Sequence, residues 1–176
     1  DDEDPTDDPK RSLIEDDKIK RVVLCTGKVY YDLYQERRKR GIKDVYLMRV
    51  EQIYPFPQKA LATDLNRFKN ADIVWCQEEP RNNGCWFFVR ERLESVLQES
   101  GHKEIGPKYI GRPEAAAPAT GLMSRHMNQQ RALIDEALTP PAPTTPTRRV
   151  STKAPAKKPT AKRAPAKRSA TRANQK

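Results

Sequence analysis

The chain has 176 residues, of which 36% are hydrophobic and 33% charged, and its formal net charge at pH 7 is +10. This length is sufficient for one domain with a buried core. No apolar run approaches the roughly 20 residues that cross a bilayer, so we expect no membrane-spanning segment and no membrane partner. The three cysteines lie in apolar stretches without CxxC spacing, which predicts buried thiols in a reducing compartment and no structural metal: Cys25, Cys76 and Cys85.

The charge is distributed unevenly along the chain. Residues 140–176 contain eleven Lys and Arg and no acidic residue, so the remaining chain carries about one net negative charge. This segment repeats Lys-Ala-Pro words and has no large apolar residue except Val150, which predicts a disordered basic tail with weak, salt-sensitive affinity for polyanions. Residues 1–20 contain nine acidic and four basic residues and are interpreted as an acidic linker. Because the chain starts without Met, we expect this linker to follow a preceding domain of a longer polypeptide.

Predicted strands and helices alternate from residue 21 onward. The apolar run "RVVLCTG" predicts a buried strand, and "KVYYDLYQERRKRG" predicts a helix that ends at Gly41. The run "DVYLMRVEQIYPFP" predicts a second strand closed by two prolines, and "QKALATDLNRFKN" predicts a second helix. The residues expected to face the core are Val29, Tyr30, Leu33 and Tyr34 in the first helix, and Leu61, Leu65 and Phe68 in the second.

The second half of the chain repeats this pattern twice. "ADIVWCQ" predicts a third strand followed by a helix that ends at Gly101, and "PKYIG" predicts a short fourth strand followed by a helix at 122–138. The expected core faces are Trp86, Val89, Leu93, Val96 and Leu97, and then Leu133, Ile134, Ala137 and Leu138. Four alternations predict an α/β domain over residues 21–139, with three α/β/α layers around a mostly parallel sheet.

Parallel strands would bring their carboxyl ends to one edge of the sheet, where α/β proteins usually bind ligands and partners. The polar residues expected there, as structural or interface residues, are Lys28, Glu78, Glu79, Asn82 and Arg112. His102 and His126 lie far apart in sequence without matching ligand spacing, so they favour neither a metal site nor a catalytic triad.

Two adjacent carboxylates, Glu78 and Glu79, suggest acid/base chemistry. Neighbouring side chains of a strand point to opposite faces, however, so this pair does not face a common substrate if the strand continues through both. We favour a structural interpretation, in which one glutamate pairs with Lys28 or Arg112 and Asn82 or its neighbour caps the following helix. A catalytic pair and a role at a subunit or domain contact are the alternatives.

Five segments occur in a specific order along residues 18–139: "KRVVLCTGKVYYDL", "RVEQIYPFP", "VWCQEEPRNNGCW", "YIGRPEAAAPATG" and "HMNQQ". In this order they resemble the C-terminal domain of the thiamine-diphosphate-dependent, decarboxylating first component of the 2-oxoglutarate dehydrogenase complex. The resemblance implies a fold like the transketolase C-terminal domain. It also implies a parent oxidoreductase of the tricarboxylic acid cycle that decarboxylates 2-oxoglutarate.

The resemblance further implies where the cofactors and partners bind. In that family, thiamine diphosphate and Mg²⁺ are held by two preceding domains, and this sequence lacks the Gly-Asp-Gly motif and clustered histidines of those domains. We therefore expect no catalytic residue, no cofactor and no turnover in this chain alone. The implied partners are a second copy in a homodimer, the upstream thiamine-binding domains, and the dihydrolipoyl succinyltransferase component whose lipoyl group receives the succinyl group. The implied compartment is the bacterial cytoplasm, or the mitochondrial matrix in a eukaryote.

One allosteric site is implied by actinobacterial relatives, which bind acetyl-CoA through a glutamine and two consecutive arginines. Gln52 matches the glutamine, Lys59 is a cationic substitute for the first arginine, and Ala60 removes the second. Because an ammonium does not bind phosphate in a bidentate manner, we expect any acyl-CoA site here to be weak. The alternative for Gln52 is a solvated loop or a dimer contact.

The basic tail leaves a second class of function open, an independent dimeric nucleic-acid-binding protein. Affinity for DNA would then fall steeply between about 50 and 200 mM salt, because binding releases counterions from the phosphates.

Overall fold

The computed structural model describes residues 13–141. The remaining parts of the predicted linker and tail, 1–12 and 142–176, lie outside the described residues. The elements in chain order are β1 (Arg21–Cys25), α1 (Val29–Arg40), β2 (Val45–Arg49), α2 (Gln58–Leu65), β3 (Asp72–Pro80), α3 (Trp86–Glu99), β4 (Lys108–Arg112) and α4 (Met123–Leu138). Short 3₁₀ helices lie at Asp16–Lys18 and Asn66–Phe68. The predicted alternation of strands and helices is confirmed.

The four strands form one parallel sheet in the order β2-β1-β3-β4. β1 pairs on both sides, with Arg21 level with Val45 and Asp72. All five residues of β1 are buried, as its continuous apolar run predicts. The strand order changes direction between β1 and β3, so the carboxyl ends of these two strands form the topological switch point of the sheet.

Two helices cover each face of the sheet. Val23 and Cys25 of β1 pack with α1 and α4, while Val22 and Leu24 pack with α2 and α3. This arrangement confirms the predicted three-layer α/β/α architecture. The predicted core faces of the helices are buried except for Tyr34 and Ile134, which are partly buried: Val29, Tyr30, Leu33, Leu61, Leu65, Phe68, Trp86, Val89, Leu93, Val96, Leu97, Leu133, Ala137 and Leu138.

Several boundaries differ from the sequence prediction. β2 ends at Arg49, well before Pro57, and the loop that follows it contains two prolines, which have no N–H to donate to a ladder. α2 ends at Leu65 and continues as a 3₁₀ helix. α1 ends as predicted at Gly41, whose φ of 64° is the left-handed conformation that glycine adopts without strain.

Residues 13–20, within the predicted linker, pack against the domain. Ile19 is buried, and Leu13 and Ile14 contact the core next to it. The Asp16 carboxylate accepts a hydrogen bond from Arg67 Nε at 2.8 Å. The sequence did not predict these contacts. Three apolar residues at irregular spacing in an acidic stretch show neither the periodicity of a helix nor that of a strand.

The cysteines form no disulfide among the described residues. Cys25 and Cys76 are buried side by side in β1 and β3, and Cys85 is partly exposed. Burial raises the pKa of Cys76 above its ordinary value. The predicted buried thiols are confirmed for two of the three positions. None of the helices within 13–141 has the length and apolar character needed to span a bilayer.

Candidate functional site

Charged side chains of the protein itself occupy the switch point between β1 and β3. Lys28 follows β1 and Glu78 lies near the end of β3, with 3.6 Å between Nζ and Oε1. Lys28 Nζ also donates to Asp32 Oδ2 at 2.8 Å. This hydrogen bond, together with the charges of both carboxylates, raises the pKa of Lys28 above its ordinary value. The pairing of Glu78 with Lys28 expected from sequence is therefore observed.

Gln130 of α4 connects this ion pair to the last strand. Its side-chain Nε2 donates to Glu78 Oε1 at 2.8 Å and to Asp32 Oδ2 at 3.0 Å. Its Oε1 accepts from Arg112 Nη2 at 3.1 Å. One buried amide thus joins β3, α1 and β4, and Arg112 reaches Glu78 through Gln130.

Arg112 is the other buried centre of this edge. It is 6% exposed, and its Nη2 lies 3.0 Å from His126 Nδ1. Because a guanidinium only donates, Nδ1 accepts, which leaves the ring proton of a neutral His126 on Nε2. Arg112 Nε is buried and has no hydrogen-bond partner among the described residues. We call the connected set the carboxyl-edge network: Lys28, Asp32, Glu78, Arg112, His126 and Gln130.

Glu79 does not join this network. It is exposed, and its side chain lies beside Gly84, where an added Cβ would stand 3.1 Å from Glu79 Cβ. Its neighbour Glu78 instead faces α1 and α4. The two carboxylates therefore lie on opposite sides of β3, and their geometry does not support an acid/base pair acting on one substrate.

Asn82 holds a loop instead of capping a helix, so the capping prediction is wrong. Its Nδ2 donates to the Ala115 carbonyl at 2.9 Å, and its Oδ1 accepts from the Ala115 N–H at 3.1 Å. The α3 helix begins after Cys85 without a side-chain cap. An amide side chain satisfies both groups of one residue, which a single cap bond cannot do. Asn82 thereby fixes residues 113–121, which we call the strap.

A cavity of about 260 Å³ lies beneath the strap. Its walls include Pro80 at the end of β3, Arg112 at the end of β4, and Arg125 and Gln129 of α4. The strap contributes mainly alanine and proline. Two lining residues each have a buried polar atom without a partner among the described residues, Arg112 Nε and Gln129 Oε1.

The predicted acyl-CoA residues lie apart from this network. Gln52 is exposed, and its Nε2 is 3.5 Å from the Pro55 carbonyl. Lys59 is exposed in the first turn of α2 and lines a shallow pocket of about 630 Å³ together with Phe56 and Glu99. Gln52 is not part of that lining. A joint role for Gln52 and Lys59 stays a prediction.

Large apolar side chains are exposed around the same edge. The first turns of α1, α3 and α4 belong to it, because each of these helices follows the carboxyl end of a strand. The exposed residues there are Tyr31, Tyr54, Phe87, Leu122, Met123 and Met127, with exposures of 50–81%. Within residues 13–141 the other exposed large apolar residue is Ile105, which precedes β4 at the opposite edge. Concentrated apolar exposure of this kind indicates a contact surface.

Side chains that could bind a metal ion do not cluster in the described part of the chain. No group of three or more His, Cys, Asp or Glu side chains within 13–141 could hold a metal ion. His102 is buried at the other edge of the sheet, where Nδ1 lies 2.8 Å from Ser100 Oγ and Nε2 lies 3.1 Å from the Phe68 carbonyl. These residues therefore do not fit the magnesium-diphosphate group that the sequence resemblance implies.

Two polar residues of this edge were not identified from the sequence, Gln77 and Gln130, and His126 was considered there only as a metal ligand or a member of a catalytic triad. Gln130 stands three residues before Leu133, on the apolar face of α4, so a polar residue in the buried period was the available signal. Gln77 ends the third apolar run and is 2% exposed. It accepts from Trp75 Nε1 at 3.0 Å and donates to the Asn83 carbonyl at 2.8 Å, which shapes the turn after β3.

Comparison with known proteins identifies the family. Residues 3–138 match the family model described as 2-oxoglutarate dehydrogenase C-terminal. The 2-oxoglutarate dehydrogenase E1 components of Brucella anthropi, Brucella ovis and Brucella canis are each 60% identical over 124 residues, which is 70% of this chain. That match covers 12% of each relative, so the chain spans a small part of their length. The chain belongs to the 2-oxoglutarate dehydrogenase C-terminal family.

Proposed function

We propose that this chain is the C-terminal structural and dimerisation domain of a 2-oxoglutarate dehydrogenase E1 component. Its family and the names of its relatives support the parent enzyme. The observation that carries the structural role is the carboxyl edge of the sheet. Exposed apolar residues surround that edge, while its charged groups neutralise one another.

The network gives this edge a fixed shape. Gln130 and Arg112 hold α4 against β3 and β4, and Lys28 and Asp32 hold the first turn of α1 against β3. The exposed apolar residues sit on these same helix starts and on neighbouring loops. A rigid support lowers the ordering cost of association, because fewer side chains and loops lose freedom on binding. The edge is therefore suited to packing against another folded surface.

In this proposal the parent enzyme decarboxylates 2-oxoglutarate and transfers the succinyl group to the lipoyl group of the dihydrolipoyl succinyltransferase component. Thiamine diphosphate and Mg²⁺ bind to the domains that precede this one. The chain contributes no group to the reacting centre. It closes a homodimer and supports the cofactor domains, in the bacterial cytoplasm or the mitochondrial matrix.

Dimerisation through this edge can be tested by analytical ultracentrifugation of the chain. We expect the unmodified chain to sediment as a dimer and the Met123→Lys, Met127→Lys double variant to shift toward monomer while it keeps the circular dichroism spectrum of the folded chain. Both residues are at least half exposed, so lysine does not disturb the core. The matched control is Ile105→Lys, which places a lysine on an exposed apolar residue at the opposite edge. Equal dissociation of both variants, or a chain that remains monomeric throughout, would contradict the proposal.

The catalytic part of the proposal needs a separate assay. We expect the purified chain to release no carbon dioxide from 2-oxoglutarate when thiamine diphosphate and Mg²⁺ are added. Isothermal calorimetry should show no magnesium-dependent binding of thiamine diphosphate. Tight uptake of the cofactor by the chain alone would refute the assignment of cofactor binding to other domains.

Polyanion binding by the basic tail is a second candidate, favoured by its eleven positive charges. A gel-shift assay that compares the full chain with residues 18–139 separates it from a role of the folded domain. Binding that disappears with the tail and weakens with salt would support it. Binding retained by residues 18–139 would place a polyanion site on the domain instead.

A further inference from the structure

We propose that the cavity beneath the strap binds a small carboxylate, with Arg112 and Gln129 as its polar contacts. The cavity measures about 260 Å³ and opens between the end of β4, the start of α4 and the strap. This binding site goes beyond the proposed structural function, because dimerisation through the apolar residues does not require it.

The guanidinium of Arg112 can donate one more hydrogen bond, from Nε. Its Nη2 already contacts Gln130 and His126, whereas Nε is buried without a partner among the described residues. A buried donor on a charged group is costly when unpaired, and a carboxylate oxygen placed there would form a strong charge-assisted hydrogen bond. Arg112 is 6% exposed, so little bulk water competes for this contact.

Gln129 supplies a second polar contact in the lining of the cavity. Its Oε1 is buried and has no partner within the described part of the chain. Rotation of the terminal amide by half a turn exchanges the oxygen for the NH₂ group, because this torsion is roughly two-fold. The amide can therefore donate to the second carboxylate oxygen, or accept from a hydroxyl group of the ligand.

The charge of the lining favours an anion. Arg112 and Arg125 are positive, and Glu114 is the one acidic residue of the lining. Arg112 contacts the nearest acid of the network, Glu78, only through Gln130. The cavity thus retains one net positive charge that a carboxylate would neutralise.

The size of the cavity selects a small ligand. Its volume lies just below the range of about 300–1,000 Å³ for pockets that hold drug-sized molecules, and far above the roughly 30 Å³ that one water occupies. Alanines such as Ala117 and Ala119 line the strap side and leave this space open. Carboxylates of two to four carbons, for example acetate or lactate, fit within this volume.

Nuclear magnetic resonance of the ¹⁵N-labelled full chain tests this site. Sodium acetate is titrated at constant ionic strength, with sodium chloride as the exchanged salt. We expect saturable shifts of the strap amides and of the Arg112 Nε–H signal. Arg112→Lys keeps the charge but removes Nε, and it should weaken acetate binding at least tenfold. Arg131→Gln on the outer side of α4 is the control and should bind acetate as the unmodified chain does.

Two further variants keep the test decisive if Arg112→Lys does not fold. Gln129→Met removes one polar contact, and Ala117→Leu fills the cavity; both should lose acetate binding while the melting temperature is retained. Shifts that grow linearly with acetate, or that chloride reproduces, would overturn the proposal and indicate a cavity filled by water.

Discussion

Arg21 at the amino edge of the sheet and Arg112 at its carboxyl edge are both buried, and they differ in how completely they are bonded. Arg21 begins β1 and Arg112 ends β4. Arg21 donates from Nε and Nη2 to Asp72 Oδ2 at 3.1 and 2.8 Å. Its Nη1 donates to the carbonyls of Glu136 at 2.7 Å and Thr139 at 2.9 Å, at the end of α4.

This difference distinguishes an edge whose buried arginine is fully bonded from an edge whose buried arginine is not. At the amino edge, Arg21 uses all three nitrogens within the domain and satisfies carbonyls that the end of a helix leaves unpaired. At the carboxyl edge, Arg112 keeps one buried N–H for an additional acceptor. The same residue type is therefore fully bonded at one end of the sheet and keeps one unpaired buried donor at the other.

The largest expected effect comes from breaking the closed edge. Arg21→Met removes one of the two cations that pair with Asp72, whose side chain is 10% exposed, and leaves Lys108 as the other. It also removes a donor from the carbonyls of Glu136 and Thr139. Removing one member of a buried ion pair typically costs about 3–5 kcal/mol. Because Lys108 still pairs with Asp72, we expect a loss near the lower end of this range in the free energy of unfolding, measured by urea denaturation followed by circular dichroism.

The matched control for this variant is Arg131→Met. Arg131 is an exposed arginine of α4, and surface substitutions usually change stability by less than about 0.5 kcal/mol. If both substitutions cost the same amount, the bonds of Arg21 would contribute nothing special to the amino edge.

Substitutions of two neighbouring glutamines of α4 test the hydrogen bonds at the carboxyl edge, with smaller expected effects on stability. Gln130→Met leaves Glu78 and Arg112 without their shared amide and should cost about 1–3 kcal/mol. Gln129→Met removes a buried oxygen that has no partner, so we expect a change below about 0.5 kcal/mol or a gain in stability. Thermal and urea unfolding of the two variants give this comparison. A larger cost at Gln129 would show that its Oε1 is satisfied in solution.

The sequence predicted the layers of helices and sheet better than it predicted the polar contacts at the edges of the sheet. Continuous apolar runs identify strands buried on both faces, and the 3.6-residue period identifies helix faces such as Leu61, Leu65 and Phe68. Such signals are local, because each depends on residues within a few positions of one another. Gly41 likewise marks the end of α1 through its own backbone conformation.

The network could not be predicted in the same way. Gln130 bonds to Glu78, 52 positions away, and to Arg112, 18 positions away, and no local period relates these residues. Asn82 was expected to act locally as a helix cap, yet it bonds to Ala115 at a separation of 33 positions. A polar side chain has several possible partners in the sequence. Which of them it bonds depends on the positions of the strands and helices in the folded domain, and the apolar pattern determines that topology.

Alkaline pH should weaken the carboxyl edge through Tyr109. Its hydroxyl donates to the carbonyls of Glu79 and Arg112, and burial raises its pKa to about 12. An unfolded tyrosine has a pKa of about 10, so as pH rises the unfolded chain loses its hydroxyl proton before the folded chain does. The stabilisation by the Tyr109 hydroxyl is present below about pH 10 and is lost as pH rises toward the folded pKa.

Tyr109→Phe isolates this effect from other groups that titrate at high pH. We expect the unmodified chain to be more stable than the variant at pH 8, and the difference between their melting temperatures to shrink by pH 11. A difference that stays constant across this interval would show that the Tyr109 hydroxyl does not titrate differently in the two states.

Acid pH should weaken the amino edge through His102, with the smallest of these effects. The ring is 8% exposed, and burial lowers its pKa. Because Nε2 faces the Phe68 carbonyl, which only accepts, the neutral ring carries its proton there and Nδ1 accepts from Ser100. As pH falls, the unfolded ring takes up a proton at about pH 6.5, before the folded ring does. The stabilisation by the neutral His102 ring is therefore present above that pH and is lost as pH falls through the folded pKa.

His102→Gln should therefore be less stable than the unmodified chain at pH 7.5, and the gap in melting temperature should narrow by pH 5. A gap of equal size at both pH values would mean that the ring binds its second proton equally well in the folded and unfolded chains. Burial at the amino edge would then not disfavour the charged ring.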